Sequence, residues 1–184
     1  MAELIVISGP IGAGKSTVAN GLGRRFVDSG LSAAVVDLDD VVAMIRAPLE
    51  LFDWSWERAR RIHGQVIAAW LHSGVHAVIA HGPIHTAAED AALVADIPGL
   101  VPRRVRVRAP YDVALERIKD DLTRGVSKDP TFLRSAHERF CELLPSIPAC
   151  EWDFDTTRIS ATEITDTLRT ALIPRSGTET DRGS

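Results

Sequence analysis

An apolar, β-branched run, Leu4-Ile-Val-Ile-Ser8, leads directly into Gly9-Pro10-Ile11-Gly12-Ala13-Gly14-Lys15-Ser16, and helical periodicity begins at Lys15. A strand, then G-x-x-x-x-G-K-[ST], then a helix is the phosphate-binding loop in its required context. Glycines at 9, 12 and 14 let the backbone curl until successive N–H groups converge on phosphate oxygens at the positive end of the helix that follows. Lys15 adds a mobile cation for the β- and γ-phosphates, and the Ser16 hydroxyl is placed to ligate Mg²⁺. The expected ligands are therefore ATP and Mg²⁺, with Gly9, Pro10, Ile11, Gly12, Ala13, Gly14, Lys15, Ser16 and Thr17 as the phosphate-contacting set.

From residue 3 to about 172, short β-branched runs alternate with longer segments of helical period, the pattern of βαβ units and a parallel sheet. The fold class is α/β. Five strands are expected, at Leu4 to Ser8, Ala33 to Leu38, Ala77 to His81, Arg104 to Arg108 and Trp152 to Asp155. Helices are expected from Lys15 and from near Asp40, Trp56, Pro110 and Thr131, and Ser160-Ala-Thr-Glu163 is a capping-box pattern that opens the last one. Residues 1–173 read as one domain, Thr123 to Pro130 as a mobile lid because Gly, Ser and Pro interrupt the helical pattern, and 174–184 as a disordered polar tail.

Composition narrows the partners. Lys plus Arg number 21 against 25 Asp plus Glu, a net charge of −4, which offers no basic footprint for nucleic acid or an anionic membrane. No apolar run is long enough to span a bilayer and no secretory leader opens the chain, so a cytoplasmic address is expected. Cys141 and Cys150 have no metal-ligand spacing and read as reduced and buried.

The second strand ends in Val35-Val36-Asp37-Leu38-Asp39-Asp40. In a parallel sheet the carboxyl ends of the strands line the ligand crevice, so these acids project toward the γ-phosphate. Asp37 and Asp39, two apart, are expected to share one side of an extended segment, with Asp40 turned away as a helix cap. At this point the chain resembles the shikimate kinase and chloramphenicol phosphotransferase-like group of P-loop small-molecule kinases. The resemblance covers about residues 3 to 172. It rests on GPIGAGKS, on the D-x-D of Asp37 and Asp39, on Arg117 and Arg124 seven apart, and on Phe154-Asp155-Thr156-Thr157 before the final helix. It implies a three-layer P-loop kinase fold with sheet order 2-3-1-4-5 and a small lid. It also implies that Asp39 accepts the proton of the acceptor hydroxyl and that Asp37 orients Mg²⁺ through water. No Asp ends the third strand, Ala77 to His81, where a second carboxylate for Mg²⁺ is usual; His81 and His85 read as turn or surface histidines.

Planar guanidinium groups stack on bases and fork onto phosphates, which suits Arg117 to the adenine side and Arg124 to the transferring phosphoryl group. A solvated helix face is the competing reading of Arg117. By the resemblance, Thr156 and Thr157 lie where related kinases pass a loop over the adenine edge, and an ordinary turn competes with that reading. Phe52, Trp54 and Trp56, ahead of a helix carrying Arg58, Arg60 and Arg61, lie on the expected acceptor side. The expected function is ATP-dependent transfer of phosphate to a hydroxyl of a small molecule, metabolite or antibiotic. The alternatives are a nucleoside-monophosphate-type kinase and a non-catalytic, ATP-dependent regulatory or binding protein.

Overall fold

The computed structural model describes residues 2–45, 55–121 and 125–173. Strands and helices alternate as β1 (Glu3–Ser8), α1 (Lys15–Asp28), β2 (Ala33–Asp37), α2 (Leu38–Ala43), α3 (Trp56–His72), β3 (Ala77–His81), α4 (Ala87–Val94), β4 (Arg103–Arg108), α5 (Tyr111–Ile118), α6 (Pro130–Leu143), β5 (Trp152–Asp155) and α7 (Ala161–Leu172). The strands form a single parallel sheet in the order β2-β3-β1-β4-β5. This is the expected α/β fold with the expected strand order.

Two apolar cores hold the three layers together. On one face Ile5, Ile7, Ile79, Val105 and Val107 pack against α1, through Val18, Leu22 and Phe26, and against α7, through Ile164, Leu168 and Leu172. On the other, Leu4, Val6, Val36, Val78 and Ala80 meet Ile67 of α3 and Leu93 of α4. Central strands covered on both faces read as continuous apolar runs, and the buried stretches of β1 and β3 have that character. In β4 the period of two is visible instead: Val105 and Val107 enter the core while the intervening arginines find acids. Arg104 makes a two-pronged contact with Asp90 of α4 (2.9 and 2.7 Å), and Arg106 and Arg108 share Asp153 of β5 (3.0 and 2.6 Å). The Arg-rich strand is thus engaged in bridging β5 and α4.

Local chemistry sets the helix starts. Ser55, Thr86, Asp129 and Ser160 each accept a backbone N–H of the first turn of α3, α4, α6 and α7, and at α7 Glu163 closes a full capping box, the arrangement that satisfies otherwise orphaned donors. Three expectations change. Helix α4 is an extra element, Ala-rich and too short to announce itself by period. Helix α2 begins at Leu38 rather than near Asp40, because Asp37, the last residue of the strand, is also the cap. Cys141 is exposed and Cys150 half-buried, the latter receiving a hydrogen bond from Arg106 at 3.1 Å. No helix among the described residues is long and apolar enough to cross a membrane.

Candidate active site

The loop between β1 and α1 is clamped from two sides. Gly9 has φ +148°, and a Cβ there would lie 2.1 Å from the Val107 carbonyl oxygen of β4; Gly12, at φ +75°, has the same relation to Ala114 of α5, at 2.7 Å. Gly14 is in the left-handed region at φ +92° and stands at the N-cap of α1. It therefore brings no side chain to the helix start, and the first turn carries no acid. An N-terminus without a side-chain cap, with its N–H groups turned toward the loop, is the electropositive end that suits a phosphate. Lys15 folds over this loop, its Nζ donating to the carbonyls of Gly9 and Pro10 at 3.0 Å each. Ser16 and Thr17 are exposed beside it, and Ala13 is buried beneath. His137 of α6 reaches the Ile11 carbonyl through Nε2 at 2.8 Å. The donor set fits a nucleotide triphosphate with Mg²⁺: a glycine cradle, one lysine and one hydroxyl, with no carboxylate in the loop itself.

The carboxyl ends of β2 and β3 lie beside this loop. Asp37 and His81 are register partners, and His81 is also paired with Ile7 of β1. Asp37 Oδ1 accepts the Asp39 N–H at 3.0 Å and faces His81 Nδ1 at 3.4 Å. Asp39 is therefore in the first turn of α2, and the two acids do not share an extended face. The chain turns into a helix at Asp37 because the carboxylate caps it. Asp39 and Asp40 are both exposed. His81, expected at a turn or surface, is the buried last residue of β3, 3% exposed. Burial lowers its pKa from 6.5 to about 4, and the Lys15 charge adds to that effect, whereas Asp39 and Asp40 oppose it. The imidazole is neutral near pH 7. His85 is half-buried, its Nε2 without a hydrogen-bond partner, and burial and then Lys15 lower its pKa also.

His63 was not singled out by sequence. It is fully buried on α3 with Nε2 at 3.2 Å from the Val36 carbonyl, and burial lowers its pKa. The available signal was its place, four residues after Ala59 and four before Ile67, on the apolar face of α3.

On the opposite flank, Arg117 of α5 joins three points. Its guanidinium donates to the Gly12 carbonyl (3.2 Å), to Thr156 Oγ1 (2.9 Å) and to the Thr156 carbonyl (2.8 Å). Thr156 is fixed in turn by Arg108, whose carbonyl accepts both its N–H and its hydroxyl. Thr157 instead closes a turn on Asp155, whose carboxylate accepts its N–H and hydroxyl at 2.9 and 2.6 Å and is held below the ordinary carboxylate range by them. Sequence-distant Arg117, Thr156 and the glycine loop are thus brought together.

Arg124, Phe52 and Trp54 lie outside the described residues. So do Thr123 of the lid and the whole of 174–184; the described part of the lid segment, from Gly125, makes a single 3-10 turn, Val126–Lys128, before α6. Trp56 opens α3, and Arg60 pairs with Glu89 at 2.8 Å. Among the described residues no three His, Cys, Asp or Glu side chains cluster as a metal cage. A Mg²⁺ held by one hydroxyl, phosphates and water needs no such cage.

A glycine loop with an uncapped helix start and a lysine, carried by the central strand of a 2-3-1-4-5 parallel sheet, defines the P-loop kinase fold. Residues 5–138 match the AAA domain family, and since that match spans more than half the chain, the protein belongs to this family. No curated protein matches it. Its fold is similar to that of the tunicamycin resistance protein of Deinococcus radiodurans (TM-score 0.64, 17% identity, covering 95% of this chain and 98% of that one). It is likewise similar to shikimate kinase from Acinetobacter baumannii, solved with shikimate (0.58, 20%, 93% and 93%), and to a sugar kinase from Janibacter sp. HTCC2649 (0.61, 20%, 95% and 97%).

Proposed function

We propose that the protein is an ATP-dependent phosphotransferase that moves the γ-phosphate of ATP to a hydroxyl of a small molecule, a metabolite or an antibiotic. The observation that carries this reading is the meeting of acids and cation at one sheet end. Asp37 and Asp39 stand at the β2–α2 junction, and the His81 ring beside them is within the electrostatic reach of both Lys15 and Asp39. The kinase names among the fold neighbours support the same class.

In this reading the acceptor hydroxyl gives its proton to Asp39 as its oxygen bonds to the γ-phosphorus, and the bond from phosphorus to the β,γ-bridging oxygen breaks. The glycine loop from Gly9 to Thr17 holds the phosphates. Lys15 and Arg124 stabilise the transferring group, and Arg117, Thr156 and Thr157 form the adenine side. Ser16, with Asp37 acting through water, would hold Mg²⁺, which would supply charge neutralisation for the transferring phosphate. Screening hydroxylated metabolites and antibiotics for ATP-dependent phosphate transfer, with mass spectrometry of the product, tests the reading. A phosphorylated alcohol supports it. Phosphoryl transfer confined to nucleoside monophosphates, or ATP binding with no acceptor product across the panel, contradicts it.

A further inference from the structure

We propose that two buried histidines, His63 and His81, form a brace that positions Asp37, His81 donating from Nδ1 to the Asp37 carboxylate and His63 from Nε2 to the carbonyl of Val36. The inference deepens the reading of Asp37 as the residue that orients Mg²⁺, and it rests on that reading.

Three contacts converge on one turn of chain. Before Asp37, the Val36 carbonyl meets His63 Nε2 at 3.2 Å; at Asp37, Oδ1 meets His81 Nδ1 at 3.4 Å; after it, the Asp39 N–H is held by the same Oδ1 at 3.0 Å. A carbonyl and a carboxylate only accept, so each imidazole must carry its hydrogen on the nitrogen that faces them. The brace therefore requires opposite tautomers: Nε2–H at His63, whose contact with the Val36 carbonyl is a hydrogen bond, and Nδ1–H at His81, which approaches Asp37 as an ion-pair contact. At 3.4 Å the His81–Asp37 approach is longer than an ordinary N–H···O hydrogen bond.

His63 is not explained by packing. It is completely buried, yet Nδ1 finds no partner, and a buried polar atom left unpaired is costly compared with an apolar residue of similar size. What an apolar residue cannot supply at this place is the donor to Val36. His81 arises from a different element, β3, and is 3% exposed. The two therefore grip the end of β2 from the helix above it and the strand beside it. Partners of this kind, behind a metal-orienting carboxylate, fix its direction and typically alter metal affinity 10–100-fold when removed. Neither histidine touches substrate in this account; both are positioning residues.

Side-chain isosteres separate the donor role from simple filling, because the amide nitrogen of Asn overlays Nδ1 of His and that of Gln overlays Nε2. The readout is the Mg²⁺ concentration giving half-maximal ATP binding in the full chain, by calorimetry. His81→Asn should stay within about threefold of the parent while His81→Gln shifts the midpoint about tenfold upward; His63 should show the reverse, Gln tolerated and Asn not. Equal effects of Asn and Gln at His81, with Asp37→Asn shifting the midpoint, overturn the brace alone. An unchanged midpoint in Asp37→Asn overturns the metal reading of Asp37 and the brace with it. Should a His63 variant fail to fold, the nitrogen chemical shifts of the two imidazoles in the unmodified protein decide. Opposite neutral tautomers are expected, and an Nε2–H tautomer at His81 contradicts the proposal.

Discussion

A methyl group at Gly9 would sit 2.1 Å from a main-chain oxygen of β4, in a conformation with φ +148° that L-residues rarely adopt. A backbone oxygen in a central strand cannot move aside, so Gly9→Ala should destabilise the fold by at least about 2 kcal/mol. Gly30→Ala is the control: at φ +75° with open space around its Cβ, it should lose only about 1 kcal/mol of backbone preference. Urea midpoints of the two variants check the contrast, and equal losses would remove the close-approach argument. The conformations of Gly9 and Gly14 were legible in the sequence because they are local, fixed by backbone torsion and by neighbours within one turn. His63 and His81 were not, since their partners Val36 and Asp37 are 27 and 44 residues away in the chain and only the sheet and α3 bring them near.

At the scale of elements, the site depends on how segments are joined. Arg117 ties α5 to the glycine loop and to the turn after β5 through three hydrogen bonds. The three bonds are exposed, so solvent screens each of them, but together they hold ground-state geometry on the expected adenine side. Arg117→Ala should therefore raise KM for ATP about tenfold or more while leaving kcat within a few-fold; a fall in kcat at unchanged KM would move Arg117 to the transferring phosphate. The sequence announced β1, β3, α1 and α7 through continuous apolar runs, the glycine motif and a capping box. It hid α4, eight residues with little contrast between faces. It also placed the start of α2 late, because Asp37 reads equally as the last strand residue and as a cap.

Across the molecule, His63 and His81 are buried and His85 is half-buried, and all three have lowered pKa values. Their sign is common: the unfolded chain takes up protons at about 6.5 while the folded chain resists, down to about 4 for His81. Between those values the unfolded state binds more protons, so stability is complete above pH 6.5 and falls as pH is lowered toward 4. His81 alone corresponds to roughly 3 kcal/mol at the limit. Denaturant midpoints of the metal-free protein should be flat above pH 7 and decline from 6.5 to 5, with a shallower decline in His81→Asn. Constant stability across pH 5–7 would contradict the buried neutral imidazoles. The architecture itself was readable from alternation of period because the sheet is parallel and covered on both faces. The partner of Arg60 was not, since nothing in the local pattern of α3 specifies that it meets Glu89.

The central claim, phosphoryl transfer with Asp39 as the proton acceptor, is tested most directly by Asp39→Asn, with transfer to the identified acceptor and Mg·ATP binding measured on the same preparation. Asn keeps the shape and loses the basicity, so transfer should fall about 10²- to 10⁴-fold while Mg·ATP affinity stays near that of the parent. Transfer within a few-fold of the parent, at full Mg²⁺ and ATP, would contradict the account.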